Sequence, residues 1–283
     1  MKTVTSITEL RQHVIKWKKA GNKVAFVPTM GNLHQGHLSL ITKAREIADK
    51  VVVSIFVNPL QFDDKADLSA YPRTLEADIQ QLESSQCDLL FTPTADVMYP
   101  QGMEIQTIVT VPNMDDKLCG QNRPGHFDGV ATVVLKLFNM VQADIAVFGE
   151  KDYQQLLLIK RMVKDLDLPI TIVGAQTCRE ESGLAMSSRN QYLTEQQRQQ
   201  AAGFYQTLSS VKQQIERGEQ NFLALQQHAK SSLLELGFTP DYVDIRRADS
   251  LELATKNDKS LRILAAAQLG QARLIDNIAC NLD

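Results

Sequence analysis

Apolar and polar positions change period several times along the chain, and each change predicts an element. The run 24–27 is short and continuously apolar, and Pro28 is expected to end it. Leu38, Leu40, Ile41, Ala44, Ile47 and Ala48 then recur at helical spacing, with Gly31 and Gly36 between. Residues 24–48 therefore read as a strand, a tight turn and a helix. An opening helix is expected over 6–20, capped near Ser6 or Thr8. Downstream, 51–57 is an apolar run of the kind buried on both faces of a parallel sheet. Helices follow over 74–82, 130–140 and 153–166, alternating with short strands over 88–91, 145–148 and 170–173. The alternation of Ile105, Thr107, Val109 and Val111 is strand-like, and fits packing within the domain as well as a subunit contact. Strands alternating with helices of this length predict an α/β fold, an open parallel sheet with right-handed crossovers. Ligands in such sheets bind beyond the carboxyl ends of the strands.

The segment 178–192 breaks the alternation. After it the pattern turns helical over 196–217 and 222–236, with breaks at Gly218 and Gly237, and short strands follow over 242–245, 262–267 and 272–278. This predicts two domains: 1–176, carrying the parallel sheet, and 177–283, a smaller α+β domain that closes over the ligand end, with a hinge near Gln176.

The length of 283 residues suits either one large or two modest domains. A formal charge of −3, a pI near 6.0 and 43% hydrophobic residues describe an ordinary soluble chain with no electrostatic call for nucleic acid. No apolar run is long enough to span a membrane. Residues 1–20, with Lys16, Lys18 and Lys19 around Trp17, lack the apolar core and cleavage site of a signal peptide. Cys87, Cys119, Cys178 and Cys280 are scattered without Cys-x-x-Cys spacing, as expected of reduced thiols in a cytoplasmic protein.

The polar segments that follow the predicted strands carry the candidate chemistry. After the first strand comes Met30-Gly31-Asn32-Leu33-His34-Gln35-Gly36-His37, which places two imidazoles at a helix start, where N–H groups and the helix dipole attract phosphate. The glycine spacing is that of a Walker loop, but His37 and Leu38 stand where Lys and Ser/Thr are required, so this is not a P-loop. No Cys, Asp or Glu nearby completes a zinc site with the histidines. Ordinary turn histidines remain the competing reading. After the second strand comes Asn58-Pro59-Leu60-Gln61-Phe62, and after a later one Gly149-Glu150-Lys151-Asp152, with Gln155 one turn on. Each cluster alone is a common turn or helix start; three at strand ends argue for one convergent site. Met186-Ser187-Ser188-Arg189 adds hydroxyls and a guanidinium fork suited to a triphosphate, and fits an interdomain linker with a helix cap as well.

Taken together and in order, Pro-Thr-Met-Gly-Asn-Leu-His-Gln-Gly-His, Phe-Val-Asn-Pro-Leu-Gln-Phe, Tyr-Pro-Arg-Thr, Arg-Pro-Gly-His-Phe, Gly-Glu-Lys-Asp-Tyr-Gln-Gln and Met-Ser-Ser-Arg-Asn resemble the pantothenate synthetases. The resemblance covers the whole chain. More distantly, His-x-Gly-His is similar to the signature of the nucleotidyltransferase superfamily, which includes class I aminoacyl-tRNA synthetases. The resemblance implies a Rossmann-like first domain, a homodimer, and the condensation of pantoate with β-alanine. ATP, with Mg²⁺, would be cleaved to AMP and diphosphate through a pantoyl adenylate.

Position by position, the resemblance implies catalytic roles for His34, His37, Lys151 and Arg189. ATP would be bound by Met30, Gly31, Asn32, Leu33, His34, Gln35, Gly36, His37, Gly149, Glu150, Lys151, Asp152, Cys178, Met186, Ser187, Ser188 and Arg189. Pantoate would be held by Gln61, Gln155 and Asn58, against an apolar wall of Pro28, Met30 and Phe62, with β-alanine also near Gln61. Magnesium would bind chiefly through ATP phosphates, with no protein ligand named. Tyr71, Arg73, Arg123 and His126 match family positions without an assigned step, and His126 could equally cap the following helix. Segment 63–68 reads either as a mobile cover over the adenylate or as a solvated loop. From Cys178 onward there are 12 Lys/Arg against 13 Asp/Glu, which speaks against tRNA binding. A nucleotidylyltransferase would meet its phosphorylated acceptor with Arg or Lys rather than Gln61 and Gln155. A sensor that has lost the chemistry would not need intact His34, His37, Lys151 and Arg189.

Overall fold

The computed structural model describes residues 1–62 and 65–282, with residues 65–67 as backbone only. In chain order the elements are β1 (Lys2–Val4), α1 (Ile7–Lys19), β2 (Val24–Thr29), α2 (Gln35–Ile47), β3 (Lys50–Ile55), α3 (Lys65–Ala70), α4 (Leu75–Ser84), β4 (Leu89–Phe91), α5 (Ala95–Met98), α6 (His126–Val141), β5 (Ile145–Gly149), α7 (Tyr153–Asp165), β6 (Thr171–Ala175), α8 (Glu195–Glu216), α9 (Phe222–Glu235), β7 (Thr239–Arg247), β8 (Ser260–Leu269) and β9 (Ala272–Asn281). The chain divides into two compact units. Met1–Glu150 and Leu158–Gln176 form the larger; Lys151–Leu157 and Thr177–Asp283 form the smaller.

In the larger unit, β1 to β6 form a wholly parallel sheet in the order β1-β4-β3-β2-β5-β6. From β2 the chain winds outward through β3 and β4, then returns to the other side of β2 with β5. The neighbours β2 and β5 therefore flank the point where the winding reverses, and their carboxyl ends open the crevice that such sheets use for ligands. Residues Ala25, Val27, Val51 and Val53 of the sheet join Leu40, Ile41 and Ala44 of α2 and Leu82 of α4 in one buried cluster. On the α6 side, the ring of Phe138 meets Phe26 and Phe148 edge to face, with centroids 6.4 and 6.2 Å apart. Both sheet faces are thus covered, as the apolar runs require.

Several boundaries differ from the sequence expectation. Strand β2 runs through Pro28 to Thr29. The Thr29 carbonyl accepts from Phe56 N–H, so Pro28, one residue earlier, faces the β5 side, where the register has already stopped at Phe26↔Ala146. The missing proline N–H therefore leaves no ladder partner unserved. Strand β3 stops at Ile55 instead of continuing to 57, because its partner turns away after Thr29 and Asn58 caps a short 3₁₀ turn, Pro59–Gln61. The alternating segment 105–111 is not a strand, and Ile105 is 71% exposed. Within it the Val109 N–H donates to Thr132 Oγ1 at 2.9 Å, and Gln106 Oε1 accepts from Lys136 Nζ at 3.1 Å. Strand β1 was not expected; three residues pairing with β4 at a sheet edge carry no periodic signal.

In the smaller unit, β7, β8 and β9 form an antiparallel sheet, longer at each strand than expected. It packs with α8 and α9 around Phe204, Leu208, Leu225, Leu233, Phe238, Ile263 and Ala265.

Candidate active site

The stretch after β2 folds by satisfying its own backbone. Gly31 and Asn32 both adopt left-handed conformations, with φ of 81° and 51°. That reversal would leave N–H groups stranded, but each finds an acceptor. Gly31 N–H donates to Thr29 Oγ1, and Asn32 and Leu33 N–H donate to the two carboxylate oxygens of Asp78, at 3.0 and 2.8 Å. Asp78 is only 1% exposed and also accepts from Thr74 Oγ1. His34 caps α2: its Nδ1 accepts Gly36 N–H at 3.1 Å, while His37 Nδ1 accepts His34 N–H at 3.3 Å. The two rings lie 4.2 Å apart between centroids.

This geometry fixes the chemistry of the pair. A ring nitrogen that accepts a backbone N–H cannot carry the proton, so each neutral imidazole holds its hydrogen on Nε2. The turn's backbone donors at 31–34, 36 and 37 are engaged internally. It is therefore the imidazole edges, reinforced by the dipole of the 13-residue α2, that suit an anion. Gly149 and Glu150, at the end of β5, stand across the winding reversal from this turn.

The second strand end is organised around Asn58, which is fully buried. Its Nδ2 donates to Gly129 O at 3.1 Å and to Gln61 Oε1 at 3.0 Å; its Oδ1 accepts from Tyr99 Oη at 2.7 Å and from Leu60 N–H at 3.3 Å. Asn58 thus has its amide hydrogens and both oxygen lone pairs in use, and Gln61, 9% exposed, is the amide that remains to face a ligand. Gly129 is required here, since a Cβ at that position would overlap the Leu60 carbonyl. The Gln61 carbonyl accepts from Arg123 Nη2 at 3.1 Å and contacts His126 Nδ1 at 2.8 Å. His126 is not the cap of α6, which is Gly125. Tyr71 meets Phe62 edge to face at 5.5 Å, and Arg73 reaches the Leu68 carbonyl. Of the proposed cover 63–68, residues 63 and 64 lie outside the described residues.

In the smaller unit, Lys151, half-buried, and Asp152, exposed, form a 3₁₀ turn leading into α7, and Gln155 is half-buried on the first turn of that helix. Asn277 Nδ2 donates to the Lys151 carbonyl at 2.8 Å. Its neighbour Asp276 grips Arg179 through two bonds of 2.6 and 2.9 Å. Consecutive residues of β9 thereby tie down both the Lys151 turn and the base of the loop 178–192. Inside that loop, Glu180 accepts from both Arg198 Nη1 and Asn190 Nδ2, and Ser187 Oγ accepts Arg189 N–H. Arg189 stays exposed, Ser187, Ser188 and Met186 half-buried, and Cys178 Sγ lies 3.6 Å from Met186 Sδ.

The model of the pantoate-beta-alanine ligase family matches residues 2–279. The chain belongs to that family. It is 56% identical over 279 residues to the pantothenate synthetase of Shewanella loihica, covering 99% of each chain. It is 54% identical over 283 residues to that of Pseudomonas putida, covering 100% of this chain and 99% of the relative. Among solved structures it is similar to the pantothenate synthetase of Thermus thermophilus, with a TM-score of 0.91, 42% identity, and 98% and 99% of the two chains covered. The pantoate-beta-alanine ligase of Francisella tularensis, solved in complex with β-γ ATP and β-alanine, matches with a TM-score of 0.82 at 36% identity over 98% and 97% of the chains. The fold is therefore that of the ligase family, and the protein is an enzyme of that family. Among the described residues no helix is long and apolar enough to cross a membrane, and no group of three His, Cys, Asp or Glu is arranged to hold a metal ion.

Sequence reasoning missed Asp78. The signal was present: with Ile79 and Leu82 facing the core, Asp78 falls on the inward face of an amphipathic helix, where a carboxylate needs hydrogen-bond donors. Tyr99 and Gly129 were missed as well, because their partners lie 41 and 71 residues away at Asn58.

Proposed function

We propose that this ligase condenses pantoate with β-alanine through an enzyme-bound pantoyl adenylate. A carboxylate oxygen of pantoate attacks the α-phosphorus of ATP and diphosphate leaves. The amine of β-alanine then attacks the acyl carbon, AMP leaves with the bonding electrons, and the nitrogen loses a proton. The first step needs donors around the phosphates more than covalent help, because the negative charge moves onto phosphate oxygens. The observation that carries this reading is the His34–His37 pair, held as Nε2–H donors at the N-terminus of α2 beside the winding reversal.

Those two edges would meet the phosphates, and Lys151, Arg189, Ser187 and Ser188 would neutralise the charge that builds there. Gly149, Glu150, Asp152, Cys178 and Met186 would line the adenosine, as would the backbone from Met30 to Gly36. Gln61 and Gln155 would hold pantoate, against Pro28, Met30 and Phe62; β-alanine would then approach near Gln61. Asn58 is better suited to hold Gln61 in place than to touch pantoate, since its amide is already engaged. Mg²⁺ would arrive on the ATP phosphates and withdraw charge from them, keeping phosphate and water ligands. A homodimer in the cytoplasm, and closure of the smaller unit over the ATP end with a hinge near residue 176, belong to the same proposal.

The test is pantoate-dependent release of diphosphate from ATP. A single-turnover burst without β-alanine, followed by sustained AMP and pantothenate formation when it is added, is the expected result. No pantoate-dependent release by folded protein would overturn the reading.

A further inference from the structure

The hydrogen bonds around Asn58 do more than bury a polar residue; they fix the direction of every donor in the group. Leu60 contributes a backbone N–H, which can only donate, and Gly129 a carbonyl, which can only accept. Between them they leave Asn58 one orientation, Oδ1 toward Leu60 and Nδ2 toward Gly129. The hydrogen that remains on Nδ2 goes to Gln61, so the Gln61 atom facing Asn58 must be its oxygen, 3.0 Å away. The NH₂ group of Gln61 is then the part directed elsewhere, and it has no partner among the described residues. Tyr99 completes the set: with both Asn58 hydrogens spent, its hydroxyl can only donate to Oδ1, at 2.7 Å. Burial pushes the Tyr99 phenol above its ordinary range, in keeping with a hydroxyl that donates at neutral pH.

We propose that Tyr99 is a positioning residue for substrate recognition: acting through Asn58, it holds the Gln61 amide so that Gln61 presents N–H donors to an oxygen acceptor of the hydroxy-acid substrate. This rests on the pantoate reading above and sharpens it. An amide free to turn could accept from a hydroxyl or donate to one; this one is held to donation. The acceptor it fits is a carboxylate or a hydroxyl oxygen, and an analogue lacking that oxygen gains nothing from the relay.

The variant Tyr99→Phe removes one hydroxyl and keeps the ring. We expect the KM for pantoate to rise about fivefold to tenfold, the size of one lost buried hydrogen bond, with the KM for ATP unchanged. The deciding measurement is a double-mutant cycle with Gln61→Ala. If Tyr99 acts through Gln61, adding Tyr99→Phe to Gln61→Ala raises the pantoate KM no further; a full multiplicative effect in the double variant would overturn the proposal. A residue that merely packs would show that second result. Should Tyr99→Phe fold poorly, fluorotyrosine at position 99 alters the strength of the same donor without removing it: the pantoate KM should then shift in the enzyme carrying Gln61 and stay put in Gln61→Ala, and an equal shift in both would overturn the proposal. Wild-type protein assayed alongside separates the two ideas: absence of pantoate-dependent diphosphate release there sinks the functional reading, whereas additivity in an active enzyme sinks only the relay.

Discussion

The two polar segments assigned to phosphate are built in opposite ways. In the turn at 30–37 the backbone N–H groups are received by neighbouring side chains, Thr29, His34 and His37, and by one buried carboxylate, Asp78, which takes those of Asn32 and Leu33. The loop 178–192 relies instead on charged side chains from distant elements: the Arg179–Asp276 fork, the guanidinium of Arg179 3.9 Å above the Tyr205 ring, and Arg198 on Glu180. A turn held this way keeps its geometry with few partners, and all of them but Asp78 lie within its own stretch of sequence. A loop held by long-range ion pairs can carry an exposed guanidinium such as Arg189, but it depends on each partner being present.

The contrast can be broken most forcefully at Asp276. Its side chain is 2% exposed, so Asp276→Ala leaves Arg179 without its fork and should cost about 3–5 kcal/mol in urea unfolding. The turn should respond differently. His34→Asn keeps a side-chain oxygen to cap Gly36 N–H but removes the imidazole donor. Diphosphate release should fall about 100-fold or more, with stability changed by less than about 1 kcal/mol. A comparable loss of stability and rate would show that the imidazole is structural. Asp78→Ala strands the Asn32 and Leu33 N–H groups and should cost about 2–3 kcal/mol while raising the KM for ATP; Asp78→Asn, which keeps one acceptor, should fall between it and wild type.

The smallest effect is expected where the same device is half in water. Asp144 accepts Val24 N–H at the start of β2 and pairs with Lys18 at 2.8 Å. Burial alone would raise its pKa, but the Lys18 ammonium and the Val24 N–H outweigh it and hold the carboxyl below the ordinary range. A depressed folded value adds stability above the unfolded pKa and loses it as pH falls through the folded one. Asp144→Asn should therefore be less stable than wild type at pH 7 by well under about 1 kcal/mol, because the pair is solvent-screened. The difference should begin to shrink near pH 4, where the unfolded carboxylate starts to protonate, and vanish once pH has fallen past the lower folded value. A gap that persists in acid would assign the effect to packing.

Much of the larger unit was legible because its signals are local. A run such as Val51-Val52-Val53 permits little besides a buried parallel strand, and the spacing from Leu38 to Ala48 fixes the face of α2. The turn between was readable from its glycines and from the resemblance that its histidines carry. Elsewhere local signals misled or were silent. Ile105 to Val111 alternates as a strand does but finds no ladder, since pairing needs a neighbour that sequence period does not supply. Pro28 looked like a terminator, and is tolerated because of where the β5 register ends. The grip of Asp276 on Arg179 spans 97 residues, and no window along the chain contains both. The candidate site divides along the same line: residues that would touch ligand cluster in short motifs, while those that hold them, Asp78, Tyr99 and Asp276, stand alone in otherwise ordinary helices, loops and strands.

Gly129 sets a limit on how this catalyst can change. Helix α6 approaches the strand end bearing Gln61 so closely that no atom fits between its backbone and the Leu60 carbonyl. Evolution or design could widen the proposed pantoate site by trimming side chains such as Phe62, one substitution at a time. Moving the wall itself is another matter: any side chain at position 129 would displace Leu60, and with it the neighbouring Gln61 amide proposed to read the acid. Small steps are therefore open along the lining and closed along the helix, so variants selected for bulkier acids should leave residue 129 as glycine.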